Sequence, residues 1–158
     1  TGCGAIALAI KQQRPNTSVV AVDASEAALS IASKNGSRLG LEVEWIFSSW
    51  FKALDEQQFG FIVSNPPYVG REDPRLIDGV LRHEPREALD GGMDGVASFR
   101  LIIPGAPRVL APGGTLLLEH GNDQKLTVSK LLRANSFRSI ETHQDLAGHD
   151  RVTLGRVA

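Results

Sequence analysis

The sequence predicts an α/β domain built on a mostly parallel sheet, with helices on both faces and an antiparallel carboxyl-terminal hairpin. Three observations carry this expectation. Short β-branched runs alternate with segments of helical spacing. The 16 glycines and 8 prolines cluster where the apolar periodicity changes, and the last two strand-like runs flank a short polar loop. At 158 residues, 42% apolar and 22% charged, the chain matches one ordinary domain with one core. The domain is accordingly drawn over residues 1–158, with no linker or internal repeat.

Ala5 to Gln13 reads as a helix, because Ile6, Leu8 and Ile10 sit among alanines and Arg14-Pro15-Asn16 stops the run. Ser18 to Asp23 (SVVAVD) suits a strand buried on both faces. Ser25 is an N-cap for a helix that ends near Gly40. Val43 to Phe47 and Phe59 to Ser64 (FGFIVS) read as two more strands. Val69 to Gly95 is rich in Gly, Pro and charge and has no periodicity, and its length suggests a lid or binding loop. Helical spacing returns over Val96 to Leu110 through Phe99, Ile102, Ile103, Ala106 and Val109, with Pro104-Gly105 expected to kink or break it. Ala111-Pro112-Gly113-Gly114 turns into a strand over Thr115 to Glu119. Asp123 to Ala134 carries Leu126, Val128, Leu131 and Leu132 as a helix, and strands at Ser139 to Asp145 and Arg151 to Val157 close the chain.

Lys and Arg total 17 against 18 Asp and Glu, so the net charge of -1 offers no electrostatic argument for direct nucleic-acid binding. Cys3 is the only cysteine, and the sequence shows neither a signal peptide nor an apolar run of membrane-spanning length, so a cytoplasmic protein with no membrane partner is expected. His83, His120, His143 and His149 lack paired metal-ligand spacing, and no metal is assigned. The arginines Arg71, Arg75, Arg82, Arg86 and Arg100 are interleaved with Glu72, Asp73, Asp78, Glu84, Glu87 and Asp90, which reads mostly as a solvated loop.

Three stretches carry chemistry. Thr1-Gly2-Cys3-Gly4, followed by a helix, is half of a glycine-rich nucleotide loop, in which backbone N–H groups approach a ligand at the helix's positive end. A tight strand-to-helix turn would use the same residues. Asp23 stands about 20 residues further on, at a strand's carboxyl end, where a carboxylate accepts hydrogen bonds from ribose hydroxyls; alone it would read as a capping residue. Asn65-Pro66-Pro67-Tyr68 follows the strand FGFIVS at the end where open parallel sheets place ligands. Two prolines fix the backbone and remove two donors, Asn65 offers an acceptor and a donor together, and Tyr68 adds a flat face with a hydroxyl tip. Such a set suits a planar group bearing an NH2, either a carboxamide or the amino edge of a base.

Together with Trp50-Phe51, these stretches resemble class I S-adenosylmethionine-dependent methyltransferases that act on amide or amino nitrogens. Across nearly the whole chain the sequence is similar to the catalytic domain of the peptide-chain release-factor glutamine methyltransferase family. That likeness includes Glu84-Pro85 with Ala88-Leu89 before Gly91-Gly92, Leu118-Glu119-His120-Gly121, and the run from Asp145 to Val152. The resemblance implies a Rossmann-like sheet and S-adenosylmethionine as cofactor, with S-adenosylhomocysteine as product. It also implies a release factor as protein substrate and a role in translation termination. It implies that Thr1, Gly2, Cys3 and Gly4 line the methionine part of the cofactor, that Asp23 holds its ribose, and that Trp50 packs near the adenine. Asn65, Pro66, Pro67 and Tyr68 would be the catalytic set, holding the glutamine amide, with Asn65 also near the cofactor.

This sequence departs from the family in two ways. The acidic residue, first glycine and strand expected before Thr1 are absent, as is a small helical amino-terminal domain, so a fragment is expected, its missing strand falling between those at Ser18 to Asp23 and Phe59 to Ser64. Ser49 stands where the family carries an acidic residue that would bond the adenine amino group. Glu119 reads either as a group near Asn65 or as a solvated strand end. Alternative functions are methylation of a ribosomal-protein glutamine and methylation of adenine in nucleic acid; the latter would want a basic channel that the charge balance does not supply.

Overall fold

The computed structural model describes residues 1–54, 57–74 and 85–158. Arg75, Asp78, Arg82, His83 and Glu84 lie outside the described residues. The chain divides into two compact units, Thr1–Asp55 and Glu56–Ala158.

The first unit runs α1 (Ala5–Gln13), β1 (Val20–Asp23), α2 (Glu26–Leu39) and β2 (Glu44–Phe47). α1 has the bounds its alanine-rich run predicts, but its buried stripe is Ala7 and Leu8, while Ile6 is 41% exposed. α2 is closed at both ends as expected. The Ser25 hydroxyl accepts the Ala28 N–H at 3.2 Å, and Gly40, at φ 66, donates to the carbonyls of Gly36 and Ser37. β1 and β2 pair in parallel, from Val20 opposite Glu44 to Asp23 opposite Phe47, and α2 is the crossover that a parallel pair needs. β1 is shorter and less buried than expected. Ala21 is buried, whereas Val20 and Val22 are half-buried, because among the described residues β1 pairs with β2 alone.

The second unit contains β3 (Phe59–Ser64), a 3-10 turn at Arg86–Ala88, α3 (Ala97–Gly105), a second 3-10 turn at Ala106–Arg108, β4 (Leu110–Glu119), α4 (Lys125–Ala134), β5 (Arg138–Gln144) and β6 (Asp150–Arg156). Its sheet order is β3-β4-β6-β5; β3 and β4 are parallel, and β6 is antiparallel to both β4 and β5. The carboxyl-terminal hairpin is therefore present. The break expected at Pro104-Gly105 falls at Gly105, where the helix tightens into the 3-10 turn, since Pro104 has no N–H for the helical ladder. Phe99, Ile102, Ile103, Ala106 and Val109 form the inward face as expected, each at most 1% exposed, and each large one contributes about 1.5–3 kcal/mol of burial.

Two element readings need correction. The ladder between β3 and β4 jumps from Phe59 opposite Leu110 to Phe61 opposite Thr115, so the residues of the expected turn, including Gly113 at φ 73, bulge from a strand that already begins at Leu110. In α4, Val128 and Leu132 share the buried face, while Leu126 is 70% exposed, because a two-residue offset from Val128 points it to the far side of the helix. The long segment after β3 is stapled at its base. Val69 donates to the Leu89 carbonyl at 3.0 Å, Gly91 donates to the Val69 carbonyl at 2.8 Å, and Arg71 donates through its N–H to the Gly92 carbonyl at 2.9 Å. No helix among the described residues is long and apolar enough to cross a membrane.

Candidate active site

In the first unit the glycine loop is tied to the carboxyl end of β1. Gly2 and Gly4 sit at φ 60 and 84, which side chains rarely adopt. A Cβ on Gly4 would also lie 2.9 Å from the Trp45 ring and 3.1 Å from Ala32, whereas beside Gly2 there is open space. Gly4 thus lets the loop lie on Trp45, and Gly2 leaves room above the loop. The Asp23 carboxylate gathers three N–H donors: Oδ2 accepts from the Thr1 nitrogen at 2.9 Å and Gly2 at 2.8 Å, and Oδ1 accepts from Ser25 at 2.9 Å. Burial pushes its pKa up, but the bonds from Gly2, Thr1 and Ser25 outweigh that and hold the carboxyl below its ordinary value. With roughly four lone-pair positions on a carboxylate, Oδ1 keeps capacity for one more donor.

Cys3 is exposed, and its carbonyl accepts the Asn35 side-chain amide at 3.0 Å. Trp50, half-buried and at φ 53, lies in the turn after β2. Ser48 anchors that turn: its N–H donates to the Asp23 carbonyl at 3.0 Å and its hydroxyl accepts from Ala53 at 3.1 Å. A tryptophan in the left-handed region costs of order 1–3 kcal/mol, a strain that accumulates at functional sites. Ser49 is exposed beside it. The loop, Asp23 and the Trp50 turn therefore meet at the carboxyl ends of two paired parallel strands. Trp45 and Asn35, which brace the loop, were not legible: a tryptophan in a strand and an asparagine in an amphipathic helix read as packing and surface.

In the second unit, residues 65–68 follow β3 as expected. The Asn65 side chain is exposed and makes no hydrogen bond among the described residues, while Pro66 is buried. The Tyr68 hydroxyl donates to Glu119 Oε1 at 3.2 Å, so Glu119, at the end of β4, meets Tyr68. The Tyr68 carbonyl accepts the Gln124 amide nitrogen at 3.0 Å; that amide also donates to the Gly95 carbonyl at 3.1 Å, and its oxygen accepts from Gly121 at 2.9 Å. Arg151 donates to the His120 carbonyl at 3.1 Å and to Asp145 Oδ2 at 3.1 Å, and its positive charge favours the ionised Tyr68 phenol. Burial first, then Glu119, pushes the Tyr68 phenol above its ordinary value, against the opposing pull of Arg151. Gln124 and Arg151 were also missed as partners of Tyr68, since neither shares a local pattern with it.

His120 is fully buried, its Nδ1 2.8 Å from the Gly121 carbonyl and its Nε2 2.7 Å from the Thr153 hydroxyl. A carbonyl only accepts, so Nδ1 carries a proton. Arg71 pairs with Asp90 at 3.1 Å and Arg100 with Asp94 at 2.7 Å. Among the described residues no group of three or more His, Cys, Asp or Glu is placed to hold a metal ion.

In the first unit a glycine loop and the Asp23 carboxylate meet at the carboxyl end of β1, and in the second an Asn-Pro-Pro-Tyr turn follows β3; both are features of nucleotide-cofactor α/β folds. Two solved methyltransferases share that fold. A methyltransferase of Pyrococcus furiosus matches with a TM-score of 0.71 at 20% identity, over 99% of this chain and 70% of that one. The ribosomal protein L11 methylase of Lactobacillus delbrueckii subsp. bulgaricus matches with 0.73 at 19% identity, over 100% and 67%. Residues 1–93 match the methyltransferase small domain, and the chain belongs to that family. Among curated relatives, proteins named release factor glutamine methyltransferase are 49% identical over 157 residues in Xylella fastidiosa (strain Temecula1) and 45% identical over 157 residues in Salmonella typhimurium (strain LT2). Each alignment covers 99% of this chain and 57% of the relative, so the chain spans little more than half their length.

Proposed function

We propose that residues 1–158 are the catalytic domain of a cytoplasmic enzyme that uses S-adenosylmethionine to methylate the side-chain amide nitrogen of a glutamine in peptide-chain release factors. The observation that carries this reading is Asn65: an exposed carboxamide without a partner among the described residues, leading into two prolines at the carboxyl end of a parallel strand. The names of the relatives support the choice of release factor over ribosomal protein and adenine.

The residues of the first unit fit the cofactor. Open space beside Gly2 admits its methionine part, Oδ1 of Asp23 can take one ribose hydroxyl, and Trp50 offers a flat face for adenine. When bound, S-adenosylmethionine supplies an activated methyl group and is left as S-adenosylhomocysteine. An amide nitrogen is a poor nucleophile, because its lone pair is delocalised into the carbonyl, the resonance behind a rotation barrier of about 18–20 kcal/mol. The side-chain oxygen of Asn65 and the carbonyl of Pro66 accept the two N–H bonds. They thereby aim the nitrogen and stabilise the positive charge that develops on it. No strong base is required, and the proton leaves to solvent after transfer.

The test offers the full-length protein and methyl-labelled cofactor three acceptors in parallel: a bacterial release factor, ribosomal protein, and adenine-containing DNA. Label in the release factor alone is expected. Label in either of the others, with none in the release factor, contradicts the reading.

A further inference from the structure

We propose that Glu119 is a positioning residue: its carboxylate, by accepting the Tyr68 phenol, fixes the Tyr68 ring so that the turn at residues 65–68 presents a single acceptor geometry to the substrate amide. The inference rests on the reading of that turn as the amide grip.

β3 and β4 are adjacent and parallel, with Ser64 opposite Leu118, so the residues just beyond each strand emerge side by side. Tyr68 leaves β3 and Glu119 ends β4, and the phenol donates to the carboxylate at 3.2 Å. The backbone of Tyr68 is held independently, through its carbonyl, by Gln124. Glu119 therefore fixes the only part of Tyr68 that the backbone leaves free, the direction of its ring. Arg151, itself held by Asp145 and the His120 carbonyl, opposes Glu119 at the phenol by drawing the Tyr68 pKa down. The phenolic proton is spent on Glu119, so Tyr68 meets the substrate with its ring face and acts through shape.

Tyr68 is the only tyrosine among these 158 residues, which makes its ionisation directly visible as the difference in phenolate absorbance between the protein and its Tyr68→Phe variant. Glu119→Gln keeps an oxygen acceptor but removes the charge that opposes phenolate, and should lower the midpoint of that titration. Arg151→Gln should raise it. On the glutamine substrate, Tyr68→Phe and Glu119→Ala should each lower kcat/KM on the order of tenfold, the double variant should be no worse than the poorer single, and Glu119→Gln should recover much of the loss, all at nearly constant cofactor affinity. If Glu119→Ala does not fold, the isosteric Glu119→Gln carries the test through its titration. An unmoved midpoint in Glu119→Gln, or losses that multiply in the double variant, overturns the proposal. Absence of glutamine methylation by the parent protein overturns the functional reading instead, and the titration then still decides whether Glu119 holds Tyr68.

Discussion

Asn65 and Asp23 differ in how far each is already committed. The Asn65 side chain has no partner among the described residues, so Asn65→Ala should leave thermal stability and calorimetric cofactor affinity nearly unchanged. Methyl transfer should fall at least tenfold, since an amide N–H left unpaired in a closed site costs about 1–3 kcal/mol before the loss of aim is counted. A fall under about threefold would remove Asn65 from the grip. Asp23 holds three N–H groups, so Asp23→Asn should weaken both cofactor binding and the fold. Its folded pKa lies below the ordinary value, so its contribution is complete above the unfolded pKa of about 3.9 and is lost as the pH falls through the lower folded value. The gap in urea midpoint between the protein and Asp23→Asn should therefore be constant near neutral pH and close below about pH 4; a gap that widens in acid would contradict this. Asp23 was legible because its distance from the glycine loop follows from chain geometry. Its grip on Thr1 and Gly2 was not, because that depends on where two N–H bonds point.

At the scale of elements, α1 and α2 were legible because their ends carry local chemistry: a glycine turn before Ala5, Ser25 and Gly40 around α2. Those glycines differ in a way the sequence hides. A Cβ on Gly40 meets nothing within 4 Å, whereas on Gly4 it meets Trp45 and Ala32. Gly40→Ala should cost only the left-handed backbone term, about 1–2 kcal/mol, and Gly4→Ala should add overpacking of about 1–3 kcal/mol. Urea unfolding that ranks the two variants equally would show that Trp45 yields. The start of β4 and the outward turn of Leu126 were less legible, because a bulge and a helix phase are set by which neighbour packs, and neighbours remote in sequence leave no local pattern. The same holds for Glu119, Gln124 and Arg151, which meet at Tyr68 from three separate elements.

At the scale of the whole molecule, alternation of strand and helix sufficed to read an α/β fold with an antiparallel end, and the motif residues sufficed to read the family. The proposed function makes this a nitrogen methyltransferase whose acceptor amide is held by the turn at residues 65–68. The most direct test of that claim is the chemical identity of the product. A bacterial release factor is incubated with the full-length protein and methyl-labelled cofactor, digested, and sequenced by tandem mass spectrometry. One added methyl is expected on the side-chain nitrogen of a single glutamine, at least tenfold weaker when Asn65→Ala replaces the parent. A methyl found on any other residue or on a backbone atom, or one that persists undiminished in Asn65→Ala, would contradict it.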